Sequence, residues 1–489
     1  MEDITAKTKL LFKHVEDEFH EFDREPLIPH MLSTEGPALA IGDINQDGLD
    51  DVFIGSSKWQ KKGLFLQDPS GKFTRVQVRD LINDSSFEDV DACWTDVNHD
   101  GYQDLVVASG GNEFFGPDPH LSPRVYLNDG KGNLTKKTDA FDNLFVNASC
   151  VIPCDFNGDG YVDLFVGGRS VPLHFGEVPR SYLLQNDGTG RFTDVTKARA
   201  DSLANIGFVT RAIWYDLDKN GEKDLLLSLE WGGIVAFMNH RGTFTKKVLC
   251  DQKGWWNFIL PVDLNNDGHV DIIAGNLGLN SRLKATPQQP VRLYYNDFDD
   301  NGIKEQILTY YLNGRELPFA NKSELEKQMP GLKRKYLYAE DFAKASLTDL
   351  FSLDKLRSSD TLIANYFSNA VLLNRGDLTF DIKALPWMAQ LTSFRDAVVV
   401  DANGDKLPDI MLFGNYYDNN IQMGRYDADF GTILINKGQG NFDTESVNGL
   451  AIKGQVRRIE KIKIGNRDAF VIARNNDSTM VIRYRQGDK

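Results

Sequence analysis

The chain has 489 residues, 41% of them hydrophobic, and a formal net charge of -15. It has no run of 18 apolar residues and no basic patch to neutralise phosphates, which excludes a membrane-spanning helix and argues against a nucleic-acid partner. Its length suits either two or three ordinary domains or one large repeat array.

After an N-terminal segment, residues 1–35, the chain begins to repeat. Nine-residue aspartate-rich turns start at Asp43, Asp96, Asp155, Asp216, Asp263, Asp297 and Asp401, each followed at once by an apolar run such as Asp104-Leu105-Val106-Val107. The candidate ligands stand at positions one, three, five and nine. In chain order they are Asp43, Asn45, Asp47 and Asp51; Asp96, Asn98, Asp100 and Asp104; Asp155, Asn157, Asp159 and Asp163; Asp216, Asp218, Asn220 and Asp224. The remaining sets are Asp263, Asn265, Asp267 and Asp271; Asp297, Asp299, Asn301 and Glu305; Asp401, Asn403, Asp405 and Asp409. Every donor is a hard oxygen, and a Gly at position six makes the tight turn, as a Ca2+ loop requires. No His or Cys joins the set, which argues against zinc.

An EF-hand would carry a bidentate Glu at position twelve. Here that position is Ile54, Val107, Val166, Leu227, Ala274, Leu308 or Leu412, so the turns belong inside β-hairpins. One copy alone would equally suit an Asx turn; seven copies that keep the ninth carboxylate favour the metal. The turns hold twenty-one of the 70 acidic residues, and carboxylates so crowded repel one another without cations. Five to seven structural Ca2+ ions are expected. The seventh turn, where Lys406 replaces Gly, is expected to bind weakly.

A second pattern interleaves with the first: a strand, a Gly turn and another strand, as in Val125-Tyr126-Leu127-Asn128 to Leu134 or Ile433-Leu434-Ile435-Asn436 to Phe442. Together the two patterns give four antiparallel strands per unit, the blade of a β-propeller. The predicted fold is all-β, one propeller domain over residues 1–489, with eight blades favoured and seven the alternative. The units fall near 36–80, 90–140, 148–197, 207–250, 256–311, 360–385, 394–447 and 451–486. An insertion, 312–359, carries short helical patterns. The last unit needs a partner strand, which Leu10 to Val15 of the N-terminal segment can supply to close the ring. Cys93, Cys150, Cys154 and Cys250 form no dense disulfide framework and read as free thiols.

The run Asp155-Phe156-Asn157-Gly158-Asp159-Gly160-Tyr161-Val162-Asp163-Leu164-Phe165-Val166 resembles the FG-GAP/VCBS repeat of integrin α-subunit propellers and of large bacterial surface proteins. The resemblance implies the propeller and the calcium. It says little about ligand.

Strand parity places all seven turns on one face. The opposite face receives the second-to-third and between-blade connections, where the sequence stops repeating and function tends to reside. Candidate ligand-binding residues there are Phe114, Phe115, Arg169, His174, Trp231, Trp255, Trp256, Tyr416, Tyr417 and Arg425, types that stack on sugars or anchor protein partners. The bland reading of these aromatics is that they plug the ring. No GxSxG, P-loop or HExxH pattern appears. The expected function is an extracytoplasmic calcium-binding propeller that binds a glycan or protein partner, with a signal or upstream region preceding residue 1 in a precursor. The alternative is a polysaccharide lyase or glycosidase on the same scaffold.

Overall fold

In the computed structural model, which describes residues 1–447 and 449–485, the apolar runs after each turn become the second strands of antiparallel sheets. Asp104–Ser109 and Asp163–Ser170 are buried along their whole length, because each lies mid-sheet with a neighbouring sheet on either side. Fourth strands such as Phe73–Val76 and Phe442–Ser446 keep one buried aromatic and then turn polar, as outer edges should.

Eight sheets are present among the described residues, matching the eight units favoured, although seven of them make up the ring, which was the alternative blade number. The first four run Leu39–Gly42 to Phe73–Val76, Asp89–Thr95 to Leu134–Lys137, Asn147–Cys154 to Phe192–Asp194, and Phe208–Tyr215 to Thr243–Trp255. In the fourth sheet a single long strand, Asp224–His240, supplies both second and third strands by turning at Trp231, whose φ is 60°. The fifth sheet joins Phe258–Val262 and Asp271–Gly275 to Ala370–Asn374 and Phe380–Ala384. The sixth runs Phe394–Val400 to Phe442–Ser446, and the seventh holds Gln455–Ile464, Arg467–Asn475 and Met480–Arg483.

These seven sheets form the ring. Their first strands touch in order, the seventh returning to the first. Each adjacent pair shares one apolar core: Phe53 and Leu64 with Trp94 and Leu105 between the first two, and Ile462 and Val471 with Leu39 and Phe65 between last and first. The eighth sheet, Val291–Asn296, Glu305–Leu312, Arg315–Pro318 and Asp360–Ala364, stands outside this circuit, inserted between the second and third strands of the fifth. The expected units 256–311 and 360–385 therefore exchange strands: Ala274 pairs with Ala370 across the insertion. Short helices such as Lys322–Gln328, opened by an Asn321 capping box, lie within this inserted region, which begins earlier than residue 312.

The N-terminus completes the seventh sheet through Glu2–Asp3, which pairs with Met480–Arg483. The expected strand, Leu10 to Val15, does not form. Leu10 and Phe12 instead fill the core between the seventh and first sheets, and Lys13 makes a single bridge to Ser478. Beyond it, Ile28 and Leu32 cross the face opposite the turns and seal it with Trp231, Trp255, Phe175 and Tyr416.

Candidate metal centres

The turns repeat one hydrogen-bond scheme. The position-one carboxylate accepts the N–H groups of positions five and six, as Asp96 does from Asp100 at 3.1 Å and Gly101 at 2.9 Å. The buried ninth carboxylate accepts the N–H of position two and, from across the sheet, the N–H of the residue ending the third strand. Asp104 is held so by Val97 at 3.0 Å and Asn128 at 2.8 Å. Asp163, Asp224, Asp271 and Asp409 repeat the pair with Asn186, Asn239, Asn374 and Asn436. Each bond uses one lone pair of a carboxylate oxygen, so a second remains for a cation.

Burial pushes the ninth carboxyls up: to about 6 for Asp51, Asp104 and Asp224 and about 7 for Asp163 and Glu305. The neighbouring carboxylates of each turn add to this, and the backbone donors oppose it. A divalent cation relieves such crowding. In the fourth turn the ligand oxygens of Asp216, Asp218 and Asp224 lie within 4.8 Å of one another, and in the sixth those of Asp297, Asp299 and Glu305 do the same. These two acidic clusters can hold a metal ion, and their all-oxygen donors fit a hard cation. In five other turns the Asn at position three donates to the carboxylate at five, as Asn45 does to Asp47 at 3.0 Å.

Six turns sit together on one rim. Gln46 donates to the Gly101 carbonyl of the next turn, and the rings of His99 and Tyr161 meet edge to face. The sixth does not share that rim. It belongs to the inserted sheet, which leaves the ring on the opposite side, where Tyr295 accepts contact from His174 of the third sheet at 3.0 Å. Parity within the inserted hairpin was sound; the insertion displaced the whole hairpin.

Position six needs a left-handed φ, between 81° and 89° at the six glycines, yet an added Cβ at Gly101 or Gly160 would touch nothing. Conformation, not space, selects Gly there. Lys406 adopts φ 69°, and among the described residues its N–H makes no bond to Asp401.

One recurring residue was missed in the sequence, although every copy was in view. The Asn ending four of the third strands reaches sideways with its amide. Asn128 Nδ2 donates to Ile44 O at 2.7 Å, Asn186 to Val97 O at 2.8 Å, Asn239 to Phe156 O at 2.8 Å, and Asn436 to Leu264 O at 2.7 Å. Each acceptor is position two of the preceding blade's turn. Gln67 plays the part at ring closure, donating to Lys463 O at 3.0 Å.

On the opposite face the expected binding residues divide. Trp231, Trp255, Trp256, Tyr416 and Arg169 are buried, so they plug and pack rather than present a surface. Arg169 is ion-paired to Glu35 at 2.9 Å and Glu230 at 2.6 Å. Phe115, His174 and Arg425 are exposed, and Phe114 and Tyr417 half-buried. Phe114 stacks on His120, and Arg425 lies 4.0 Å from the Tyr417 ring centre. The large exposed apolar residues missed in the sequence include Trp59, Trp387, Met388, Ile421 and Phe430, all in connections of this same face.

The family pattern of the FG-GAP-like repeat matches residues 43–107, 96–166 and 216–274. Mouse (Mus musculus) phosphatidylinositol-glycan-specific phospholipase D is 30% identical over 183 residues, 33% of this chain and 21% of the relative. Human (Homo sapiens) integrin alpha-8 is 28% identical over 162 residues, 28% of this chain and 15% of the relative. The chain thus spans about a fifth or less of the length of these curated relatives. Among solved structures, an Agrocybe aegerita protein described as recognising non-reducing terminal N-acetylglucosamine aligns with TM-score 0.45 and 15% identity, covering 85% of this chain and 80% of that one. The chain thus carries FG-GAP-like repeats in three places, on a ring of antiparallel sheets with the turns where the repeat puts them.

Proposed function

We propose that the chain is an extracytoplasmic propeller stabilised by five to seven Ca2+ ions, which binds a glycan or protein partner through the face opposite the rim turns. The observation that carries the reading is where large apolar side chains meet solvent. Trp59, Phe115, Trp387 and Ile421 are 66%, 56%, 62% and 83% exposed, and all four lie in second-to-third or between-blade connections. Apolar side chains in the varied connections of a rigid scaffold support an interaction surface there. Millimolar calcium, which turns of this kind need at the weaker end of their range, favours a compartment outside the cytoplasm. No helix among the described residues is long and apolar enough to cross a membrane.

The test is a glycan array and a reducing-end assay on one calcium-loaded sample, repeated with Trp387→Ala and Phe115→Ala. Binding without turnover, lost in the variants, supports the proposal. New reducing ends or unsaturated products would replace it with a lyase or glycosidase, and binding untouched by both variants would move the partner to another surface.

A further inference from the structure

The ring axis holds a cavity of about 40 Å³. That is room for about three water-sized groups, the size of a small oxyanion. Its walls include Ser149, Thr210, Arg169, Arg395 and Arg457, with Glu35 of the N-terminal segment closing one end. Arg458 and Asn257 complete its polar lining, in which Glu35 is the one carboxylate.

The Glu35 carboxyl lines the same cavity and attracts Arg395, and Glu16 attracts Arg457, but neither pair is in direct contact. Arg169 engages both nearby carboxylates, Glu35 and Glu230, and Glu230 is shared further with His30 at 3.3 Å. Deeper along the axis Arg458 pairs with Asp91 at 3.0 Å and Arg211 with Asp396 at 3.7 Å. Arg395 and Arg457 have no carboxylate within 4.0 Å among the described residues. Arg457 is buried and donates only to neutral oxygens: Thr34 O, Asn415 O and Gln455 Oε1. The Nε of Arg395 is buried and meets no acceptor at all. Both guanidinium groups lie against the Tyr416 ring, at 4.2 and 4.5 Å from its centre. A π face attracts positive charge but accepts none of the in-plane N–H groups.

Burial lowers Arg395 to about 10, opposed by Tyr416 and the Glu35 carboxyl and helped by repulsion from Arg457 and Arg169, and at neutral pH it still carries its charge. An unpaired buried charge is expensive, and a planar guanidinium fork matches a carboxylate, sulfate or phosphate. We propose that the axial cavity is an anion site, in which Arg395 and Arg457 bind one small oxyanion. The site stands apart from the metal turns and from the partner face, and depends on neither.

The test uses the full calcium-loaded chain. Melting is followed against sodium acetate, sodium sulfate and, at matched ionic strength, sodium chloride. The expected result is a saturable rise with an oxyanion that chloride does not reproduce, and a loss of that rise in Arg395→Gln. A tighter response to acetate assigns a carboxylate ligand; a tighter response to sulfate assigns a tetrahedral one. Wild-type crystals soaked in selenate give a readout that needs no variant, an anomalous peak within hydrogen-bond distance of Arg395. Equal rises in all three salts, or a full response retained by Arg395→Gln, would each overturn the proposal, as would the absence of a selenate peak at a site whose melt responds to sulfate.

Discussion

The sideways Asn is the most direct point at which to break the ring without touching a metal ligand. Asn186 is buried, and its side chain makes four hydrogen bonds: donations to Val97 O at 2.8 Å and Val162 O at 2.9 Å, and acceptances from Gly188 and Gly190, each at 3.1 Å. At about 1 kcal/mol net for each, Asn186→Ala should cost about 4 kcal/mol. Unfolding entropy of about 2.1 cal/mol/K per residue over 489 residues is about 1 kcal/mol/K for a ring that melts as one unit. The melt should therefore fall by about 4 °C. Asn374 is the internal control. Its amide donates to Val270 O at 3.0 Å within its own blade, its oxygen accepts from Gly376 at 2.9 Å, and it makes no bond to the fourth sheet. Asn374→Ala should cost about half as much. Scanning calorimetry of both variants in saturating calcium decides the matter. Equal losses, or none from Asn186→Ala, would refute the idea that the sideways bond holds blade to blade.

Lys406→Gly should raise the melt in calcium by about 1 °C, because a non-glycine residue at φ 69° costs about 1 kcal/mol; a lower melt would show that the lysine contributes something the turn geometry does not reveal. Trp256→Ala should destabilise by about 3–5 kcal/mol in chemical denaturation, since that side chain is fully buried and donates to Gln252 O at 2.9 Å; a neutral effect would contradict its place in the core. Asp429 is buried without a cationic partner among the described residues, and burial raises its carboxyl to about 7. A raised pKa means stability is full below the unfolded value near 4 and is lost as pH rises through 7. Asp429→Asn keeps an oxygen for Gly431 and Thr432 and should remove that loss, so the variant's melt should exceed wild type at pH 8 and match it near pH 4. A gap independent of pH would count against the assignment.

The acidic turns were legible because each is written wholly in side chains within nine residues, and the blades because each hairpin carries its own glycine. The inserted sheet was not. Leu293 to Ile307 shows strand, acidic turn and strand just as a ring hairpin does; what sets it outside the ring is the pairing of Ala274 with Ala370, a choice made almost a hundred residues away. Trp255 and Trp256 stand between Gly254 and Asn257 and read locally as a loop, yet Ile28 and Leu32 of the N-terminal segment cover the first, and Ile259 and Leu372 enclose the second. The Asn clasp, by contrast, left a usable signal. Asparagine is disfavoured in strands, and its return at Asn128, Asn186, Asn239, Asn374 and Asn436 asked for a reason that a single unit could not supply.

That clasp also ties the acidic turns to the ring. The position-two residue of a turn gives its N–H to the ninth carboxylate of its own turn and its carbonyl to the Asn of the following blade, as Val97 does with Asp104 and Asn186. A cation that draws the carboxylates together therefore acts on a peptide unit whose other end is the docking point for the neighbour. The linkage runs unbroken from the first sheet to the fourth and fails between the fourth and fifth, where Asn374 reaches no turn of the preceding blade. At that junction the strand Asp360–Ala364 packs on the fourth sheet, and Asn365 and Tyr366 both donate to Lys253 O, at 2.7 and 3.0 Å. Among the described residues the clasp is missing at two junctions, between the fourth and fifth sheets and between the sixth and seventh, and the inserted sheet bridges the first of these, which gives it a structural role independent of any ligand.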